Sequence, residues 1–475
     1  MAVLVMASVV PLWPDVQESK ATTLLDPAGP TEQAWPNRAA TGSVYYASPK
    51  GTSTSPGTLG RPLDLATALS AKGPIHAGDV LWLRKGIYRG NFRSSLVGTP
   101  GALIVVAALP GERAVLDGAP SPKESVLRVD GSYTVYWGLE FTNSAPLEPD
   151  IARGTGIDVF GPYTKFINVV VHHTGNGIGM WTPALEVELY GSLIYQSGWE
   201  GADRGHGHSI YVQNDAPAKR IVDNILFDGS SFGVHAYTEG GDINNVYLEG
   251  NIAFDHGTRS RVSGPKANIL VGGMRVARHP VLVANYAYYP EGSIGRNADV
   301  GYIAGCGDAL IAGNYFAGGV PIVLTRCDGV KMTDNTFTGP VAASVVSGFP
   351  NNRYGKDGPI QSQTFVRPNR YQKGRANVAI FNWERRPTVR VNLSEAGLRA
   401  GERFEIRDVR NYFGKPLAAG VYHHSFIDLS VSHMVPSEPK RGRAGKAEPA
   451  PEFGAAVVVP VRAGLSHGPP WAFSQ

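Results

Sequence analysis

Residues 223–257 decide the fold. They read DNILFDGSSFGVHAYTEGGDINNVYLEGNIAFDHG, a short β-type phrase that begins again before the segment ends. The apolar run after Asn224 returns after Asn251, and a second apolar run starts between them at Gly233. Outward along the chain the same Asn recurs at positions 168, 224, 251, 285, 314 and 335, with Ser192 at the one missing place. A variable period of 21 to 34 residues is typical of a β-solenoid whose coils each hold about three short strands.

The composition fits such a coil and excludes several other classes. The 475 residues include 58 Gly and 35 Pro, too many helix breakers for a helical bundle, since each interior Gly costs about 1 kcal/mol and each Pro about 3. With 43% hydrophobic and 18% charged residues, the chain is not disordered in character. The net charge of +4 suits an anionic partner, but no basic run with interleaved aromatic residues indicates nucleic acid. No apolar run of about 18 residues predicts a membrane span.

Strand alternation assigns two faces to each repeated run. The side chains predicted to point into the coil are Ile157, Val159, Ile210, Val212, Val234 and Ala236. Those predicted to lie on the outer face of the same sheet are Asp158, Phe160, Trp181, Tyr211, Gln213, His235 and Tyr237. Neighbouring coils lie roughly 4.8 Å apart, so the outer side chains are expected to form one continuous patch. The recurring Asn residues are assigned to structure, as a stack that bonds one coil to the next.

The beginning of the predicted solenoid has a distinctive sequence. Residues 41–118 include YYASPKGTSTSPGT, AGDVLWLRKGIYRG and PGERAVLDG, and Leu63–Ala71 is a helix-like stretch placed to cap the first coil. This opening resembles that of secreted right-handed parallel β-helix proteins of the pectate-lyase-like superfamily, in particular the chondroitinase-B and alginate-lyase type of polysaccharide lyase. The resemblance implies an all-β fold, a right-handed parallel β-helix with an N-terminal helical cap. It carries no catalytic residue over, because the Lys and Arg catalytic segments of those lyases have no match here.

The repeats also suggest a domain plan. Residues 1–40 are predicted to be a leader, with an apolar stretch of signal-peptide length that lacks a preceding Lys or Arg. Residues 41–348 are the predicted β-helix domain, 349–375 a polar linker, and 376–475 a small C-terminal β-sandwich with alternating strands at short spacing. We expect a monomer that is secreted or periplasmic.

The segment Gly198–Asn214, GWEGADRGHGHSIYVQN, holds the densest group of titratable residues beside the predicted outer face. Loops on a rigid scaffold are where functional residues concentrate, so this loop and the next coil are predicted to form a substrate groove. The candidate catalytic residues are His208, His235, Tyr211, Tyr237 and Arg204. The candidate substrate-binding residues are Asp158, Trp181, Trp199, Gln213, Glu239 and Arg275, among which the Trp rings suit stacking on sugar faces.

A groove rich in His, Tyr and Arg favours elimination over hydrolysis. Hydrolysis uses two carboxylates roughly 5–9.5 Å apart, whereas the central outward positions hold His, Tyr and Gln. Elimination from an acidic, uronate-containing glycan needs a base, an acid and a cation that neutralises the carboxylate. We assign His208 or His235 as the base, Tyr211 or Tyr237 as the acid, and Arg204 or Arg275 as the cation. The predicted function is a polysaccharide lyase; a glycoside hydrolase and a non-catalytic glycan-binding surface protein are the alternatives.

Two further patterns concern metals and thiols. Asp203 and His206 precede His208 at a spacing that suits metal ligation, with His172-His173 about one coil away. Such spacing is common by chance, so no cofactor is assigned: Ca²⁺ stays open and a transition metal is not favoured. Cys306 and Cys327 lie 21 residues apart, one coil, and are expected to stack as small buried residues rather than as a disulfide.

Overall fold

The computed structural model describes residues 42–148, 150–258, 260, 264–355, 361–432, 434 and 451–461. The predicted leader at 1–40 lies outside the described residues. Nearly all regular structure in these ranges is β. Each turn of the chain contributes short strands that pair in parallel with their counterparts one turn later. The turns therefore stack into three long parallel sheets, named sheets A, B and C below, and the predicted parallel β-helix is confirmed.

The three sheets share one pattern of short strands. The 11 strands of sheet A are Val44–Ala47, Val80–Leu83, Ile104–Ala108, Thr134–Trp137, Lys165–Ile167, Glu188–Tyr190, Lys219–Val222, Val246–Glu249, Val281–Val283, Leu310–Ala312 and Lys331–Thr333. The 9 strands of sheet B are Phe92–Ser94, Leu127–Val129, Ile157–Val159, Ile178–Met180, Ile210–Val212, Val234–Ala236, Ala267–Val271, Arg296–Val300 and Val320–Leu324. The 11 strands of sheet C are Gly86–Arg89, Ala114–Asp117, Glu140–Thr142, Val170–His172, Leu193–Tyr195, Ile225–Phe227, Ile252–Phe254, Tyr286–Tyr288, Tyr315–Ala317, Thr336–Thr338 and Arg353–Gly355.

A few small elements lie at the corners and ends of the coils. A short parallel sheet consists of Ala277–Arg278, Cys306–Gly307 and Cys327–Asp328, and an antiparallel hairpin pairs Trp199–Glu200 with Gly205–His206. The α-helices are Leu65–Ala68 and Ala343–Gly348, and the 3₁₀ helices are Leu393–Ala396 and Val409–Asn411.

Side-chain alternation builds the core as the sequence predicts. In the sheet B strand Ile210–Val212, both end residues are fully buried while Tyr211 between them is half-buried. All six side chains predicted to point inward are 0% exposed. They belong to one continuous core that runs along the coils. Each fully buried Val, Ile or Leu adds roughly 1.5–3 kcal/mol of stability, so the stack of coils is held chiefly by this apolar interior.

A ladder of Asn side chains joins the coils at the turn between sheets A and C. Asn224 Nδ2 donates to Asn251 Oδ1 at 3.0 Å, and Asn251 Nδ2 donates to Asn285 Oδ1 at 2.9 Å. Asn314 continues the ladder by accepting from Asn285 and donating to Asn335. Each of these amides also donates to a backbone carbonyl of the preceding coil, so the predicted structural role is confirmed for them.

Asn168 does not belong to this ladder, contrary to the prediction. The rung position is one residue later, where the Val169 amide donates to Ser192 Oγ. Asn168 instead contacts Asn369 and Gln372 through its side chain. Turn spacings vary along the chain, so a shift of one residue could not be detected from the period alone.

A short helix caps the first coil. Leu65–Ala68 is shorter than the predicted Leu63–Ala71, but Leu65 and Ala68 are buried in the coil core. Asp64 is the N-cap of this helix, and its side chain accepts from the Thr67 amide at 2.9 Å. The N-terminal helical cap is thereby confirmed.

The C-terminal region forms a small antiparallel β-sandwich, as predicted. Five strands, in spatial order Gln363–Pro368, Ala376–Phe381, Phe453–Val461, Arg403–Asp408 and Ala418–Val421, make one sheet, and Thr388–Asn392 pairs with Phe426–Ser430. Two strands fall within the predicted linker 349–375: Arg353–Gly355 extends sheet C, and Gln363–Pro368 belongs to the sandwich. The boundaries of the domain plan stay predictions.

The sandwich packs on the outer face of sheet C. Phe227 and Phe254 from sheet C are buried in one cluster with Phe381 of the sandwich. Arg410 reinforces this contact by pairing with Asp228 at 2.9 Å and with Asp255 at 2.5 Å. Sheet C is therefore an internal surface over these coils.

Cys306 and Cys327 form a disulfide, so the expectation of two unlinked residues was wrong. They do stack on adjacent coils, which brings their Cα atoms to 4.4 Å, a separation that permits the bond. Among the described residues, no helix has the length and apolar character needed to cross a membrane.

Candidate functional site

The outer side of sheet B presents a row of aligned residues. Parallel pairing sets the central residue of each strand beside that of the next. The row reads Arg93, Arg128, Asp158, Gly179, Tyr211, His235, Leu270, Asp299 and Val323. The sheet is thus basic at its amino-terminal end and carries His and Tyr at its middle.

The four predicted catalytic rings come together in the middle of this row. The His208 and His235 ring centroids are 4.0 Å apart. His235 is stacked with Tyr237 at 4.8 Å and lies 5.7 Å from the Tyr211 ring. Phe232, which the sequence analysis did not single out, is stacked with His235 at 4.7 Å. We call His208, Tyr211, His235 and Tyr237 the His/Tyr cluster.

Burial removes the charge from both histidines of the cluster. His235 is only 8% exposed, and desolvation, with smaller contributions from Arg204 and Lys266, lowers its pKa to about 3. Desolvation and the adjacent His235 lower the pKa of His208 well below its ordinary value. Both imidazoles are therefore neutral at pH 7, and each has a ring nitrogen that can accept a proton.

Hydrogen bonding separates the roles of the two rings. The Phe232 backbone amide donates to His208 Nδ1 at 3.4 Å, which places the ring proton of neutral His208 on Nε2. His235 has no hydrogen-bond partner among the described residues, and its Nδ1 is buried. Buried polar atoms are nearly always bonded in folded proteins. His235 is therefore the ring of the cluster whose bonding capacity is left for a ligand.

Two cations lie near the cluster. Arg204 has a side chain 63% exposed, and its charge contributes to lowering the pKa of both His208 and His235. Lys266 Nζ lies 5.4 Å from the Phe232 ring centroid, and desolvation, followed by Arg204, lowers its pKa. Arg275 is equally exposed and lies 4.0 Å from Asp242, as Arg204 lies 3.7 Å from Asp203, but the charges that lower the pKa of the two histidines include Arg204 and not Arg275. The electrostatic contacts favour Arg204 over Arg275 as the cation beside the rings.

The two tyrosines remain protonated at neutral pH. Desolvation raises the pKa of Tyr211 and of Tyr237, in both cases with help from the negative charge of Glu239. Gln213 Nε2 donates to Tyr211 Oη at 3.2 Å, and its Oε1 accepts from Thr182 at 3.1 Å. Tyr211 Oη thus accepts one bond within the protein and keeps its own proton for donation.

An aromatic platform adjoins the cluster on the amino-terminal side. The Trp181 and Phe160 rings are stacked at 5.9 Å, and Arg128 lies 4.0 Å from the Phe160 centroid. Trp181 Nε1 donates to Asp158 Oδ1 at 2.8 Å, which fixes the orientation of the indole. Gly179 makes this bond possible, because a Cβ there would lie 2.6 Å from Asp158 Oδ1. Such a platform suits the flat faces of sugar rings.

Lys219 supports the platform from beneath. It is 0% exposed, and its Nζ donates to the carbonyls of Trp181 and Gln213, each at 2.6 Å. Desolvation lowers its pKa to about 7. Lys219 is a positioning residue, because it holds the backbone of two outer-face side chains.

The predicted metal-binding residues lie in the hairpin rather than in the cluster. His206 Nε2 bonds Asp203 Oδ1 at 2.7 Å, and the His206 ring is stacked on Trp199 at 5.2 Å. Over the described part of the chain, no group of three or more His, Cys, Asp or Glu side chains is arranged to hold a metal ion. Glu239 is exposed near the beginning of the loop that follows the strand Val234–Ala236.

Phe232, Lys266 and Gly179 were not among the residues predicted from the sequence. A positional signal exists for Phe232, which stands two residues before the sheet B strand Val234–Ala236, as His208 stands two residues before Ile210–Val212. Residues at this position share one corner of the coil. Gly179 could not be predicted from the repeat, because its role depends on the orientation of the Trp181 side chain.

No protein-family model matches this chain, and no curated protein matches it. Solved structures with a similar course of the backbone include pectate lyase Pel9A (18% identity, 64% of this chain and 82% of that chain, TM-score 0.46). A rhamnogalacturonan lyase matches at 16% identity over 67% of this chain and 88% of its own, with a TM-score of 0.46. The lacto-N-biosidase of Eubacterium ramulus matches at 14% identity over 66% and 68%, with a TM-score of 0.40. Values this low transfer neither an activity nor a residue role.

Proposed function

We propose that the protein degrades an acidic, uronate-containing polysaccharide by β-elimination, with the His/Tyr cluster as its active site. The observation that carries the proposal is the neutral pair His208 and His235, in which His235 has no bonding partner among the described residues. The pair lies on an outer face with protonated tyrosines, two cations and an aromatic platform. A pure binding surface has no need of a desolvated, unbonded imidazole.

The residues divide the elimination among them. His235 removes the proton from the carbon next to the sugar carboxylate, and that electron pair forms a carbon–carbon double bond. The bond to the glycosidic oxygen breaks at the neighbouring carbon, and Tyr211 Oη protonates the departing oxygen. Arg204 and Lys266 neutralise the carboxylate, which stabilises the charge that develops as the proton leaves.

The low pKa of His235 applies to the protein without substrate. A substrate carboxylate beside the ring favours the imidazolium form and raises the pKa of His235 toward the working pH. Binding of the anionic sugar therefore turns a weak base into an effective one. A neutral sugar at the same place would leave the imidazole too weakly basic to act.

The carboxylates of the sheet B row support elimination over hydrolysis. Asp158 and Asp299 are five strands apart in the row, about 24 Å at the usual strand spacing. That separation is far beyond the roughly 5–9.5 Å of a glycosidase pair. Both are also engaged, Asp158 with Trp181 and Asp299 with Arg296.

The disulfide supports an extracytoplasmic location for this activity. Bonds such as Cys306–Cys327 form and persist in oxidising compartments, which are also where polysaccharides are degraded. We therefore propose that the enzyme is secreted or periplasmic.

The test is a panel of polymers incubated with purified protein. Polygalacturonate, alginate, chondroitin and hyaluronan supply uronates, and dextran and galactan supply neutral controls. We expect ultraviolet absorbance from an unsaturated uronate with at least one acidic polymer, and loss of at least 100-fold in kcat for Tyr211→Phe. Reducing ends released without absorbance would show a hydrolase, and no cleavage of any polymer would overturn the proposal.

A further inference from the structure

A cavity lies on the outer side of sheet C, over its first four coils. Its volume is about 680 Å³, within the range of roughly 300–1,000 Å³ that is usual for small-molecule sites. The cavity is lined by strand residues of sheet C together with the segment that follows Thr142. The His/Tyr cluster lies on sheet B, so the cavity is a separate place in the molecule.

Charged or titratable side chains from all four coils line this cavity. Arg89 pairs with Asp117 at 2.9 Å, and Arg113 makes two bonds to Glu140, each at 2.5 Å. Asp117 and Glu140 are only 1% and 4% exposed. Within each pair the two charges cancel, so this part of the cavity wall is polar but carries no net charge.

Arg153 is the exception, because no carboxylate of the described residues pairs with it. It is 8% exposed, its Nη2 donates to the Asn143 and Ala145 carbonyls, and its buried Nε has no partner among the described residues. Desolvation lowers the pKa of Arg153, and the charge of Asp117, which makes no ion pair with it, offsets this only in part. A buried cation without an anionic partner is costly, so its retention points to an anion supplied from outside.

A chain of hydrogen bonds adds a second polar feature to the cavity. Glu140 Oε1 accepts from His172 Nε2 at 3.0 Å, and His172 Nδ1 lies 2.6 Å from His173 Nδ1. Thr142 Oγ1 lies 3.2 Å from the same His172 nitrogen. The bond to Glu140 orients His172, and His173 lines the cavity with a group that can bond a ligand.

We propose that this cavity binds a single carboxylate-bearing sugar unit, with Arg153 as its anion-binding residue. Three guanidinium groups face two carboxylates, which leaves one positive charge when the histidines are neutral. One uncompensated charge suits a monoanion, and a dianionic phosphate ester would be repelled by Asp117 and Glu140. Ile87, Val115 and Leu147 supply apolar surface for the C–H faces of the ring.

The test uses monosaccharides, so that polymer cleavage is not required. Galacturonic and glucuronic acids are titrated calorimetrically into a protein that carries Arg204→Gln and His235→Gln, which disables the sheet B site. We expect binding to persist in this background, to weaken at least about 10-fold with Arg153→Met, and to disappear with Ile87→Trp, which fills the cavity without removing a charge. Glucose and acetate are the controls, and both are expected to bind at least about 10-fold more weakly.

Three results would overturn the proposal. They are no uronate binding in the double variant, uronate binding that Ile87→Trp leaves unchanged, and glucose or acetate binding as tightly as the uronates. Because Arg153→Met removes a buried group, the unfolding temperature of this variant is measured as a control for folding. Ile87 is 48% exposed, so Ile87→Trp tests the cavity independently if Arg153→Met does not fold. Because the sheet B site is disabled throughout, these outcomes do not depend on whether the protein is a lyase.

Discussion

The outer faces of sheets B and C come from the same coils but carry opposite chemistry. One coil contributes His235 to sheet B and Phe254 to sheet C. Phe254 is 1% exposed beneath the sandwich, 5.0 Å from Phe453, whereas His235 is stacked with the Phe232 and Tyr237 rings on the outer face of sheet B. The inward residues that this coil contributes to the two sheets, Val234, Ala236 and Ala253, are apolar and fully buried. The outward residues therefore decide whether a face of this coil becomes an interface or a site.

Electrostatics follow the same division. At the ends of the sheet C strands the charges are paired between the coil and the sandwich, as in Arg410, which bonds Asp228 and Asp255. On the middle of sheet B the nearby cations Arg204 and Lys266 act on neutral histidines instead. Charges buried between the coil and the sandwich stabilise a permanent contact, whereas the exposed Arg204 beside neutral histidines is accessible to an anionic ligand.

The largest expected effect is on the covered face. Phe254→Ala removes a ring packed against Phe227, Phe453 and Arg410, and should lower the free energy of unfolding by about 3–5 kcal/mol. Tyr237→Ala, on the open face, should cost about 1 kcal/mol or less, because this ring is partly exposed already. Urea unfolding measures both. Equal losses of unfolding free energy in the two variants would contradict the distinction between a covered sheet C face and an open sheet B face.

The next effect is a pH dependence that originates on sheet B. Unfolded His235 binds a proton below about pH 6.5, but the folded protein does not until a pKa of about 3. Between these values the unfolded state takes up the proton, so stability falls as pH falls, by about 2 kcal/mol from pH 7 to pH 5. His256, with its pKa lowered to about 4, acts in the same direction.

The variant His235→Gln isolates this contribution. Its stability should fall less than that of the wild type between pH 7 and pH 5, by about the same 2 kcal/mol. Unfolding free energies at the two pH values give the comparison. Identical pH slopes for both proteins would contradict a neutral, desolvated His235.

The smallest effect concerns the aromatic platform. In Gly179→Ala the new Cβ would meet Asp158 Oδ1 at 2.6 Å and displace the bond to Trp181, so KM for the polymer should rise about 5- to 10-fold. Stability should change by about 1 kcal/mol or less. Gly307→Ala is the matched control, since a Cβ there meets nothing within 4 Å. A KM equal to that of Gly307→Ala would exclude a role for the platform in binding.

The architecture could be predicted well from the sequence because every coil repeats the same pattern of buried and outward residues. Inward positions such as Ile210 and Val212 alternate with outward ones, and Asn224 and Asn251 recur at one buried turn, so both signals are summed over many coils. Two features were not predicted, the one-residue shift of the ladder position at Asn168 and the disulfide Cys306–Cys327. Each depends on local geometry at a single place in the chain.

The site was only partly predictable for a related reason. Alternation placed His235, Tyr211 and Tyr237 on one face, and the structure brings them together with His208. Lys266 reaches the cluster from a loop whose path is not encoded in the period. The cavity on sheet C likewise joins residues that no sequence window holds together, such as Arg89 and Arg153.

The most direct test of the sheet B site is the activity of His235→Gln on a uronate polymer that the wild type cleaves, measured at pH 7 beside His279→Gln. His279 is an exposed histidine, 57% exposed and 3.8 Å from Asp308, and serves as the matched control. We predict that kcat falls at least 100-fold for His235→Gln, with unfolding free energy within about 1 kcal/mol of wild type, and that His279→Gln is unchanged. A His235→Gln enzyme that retains kcat within about threefold of wild type would contradict the central claim.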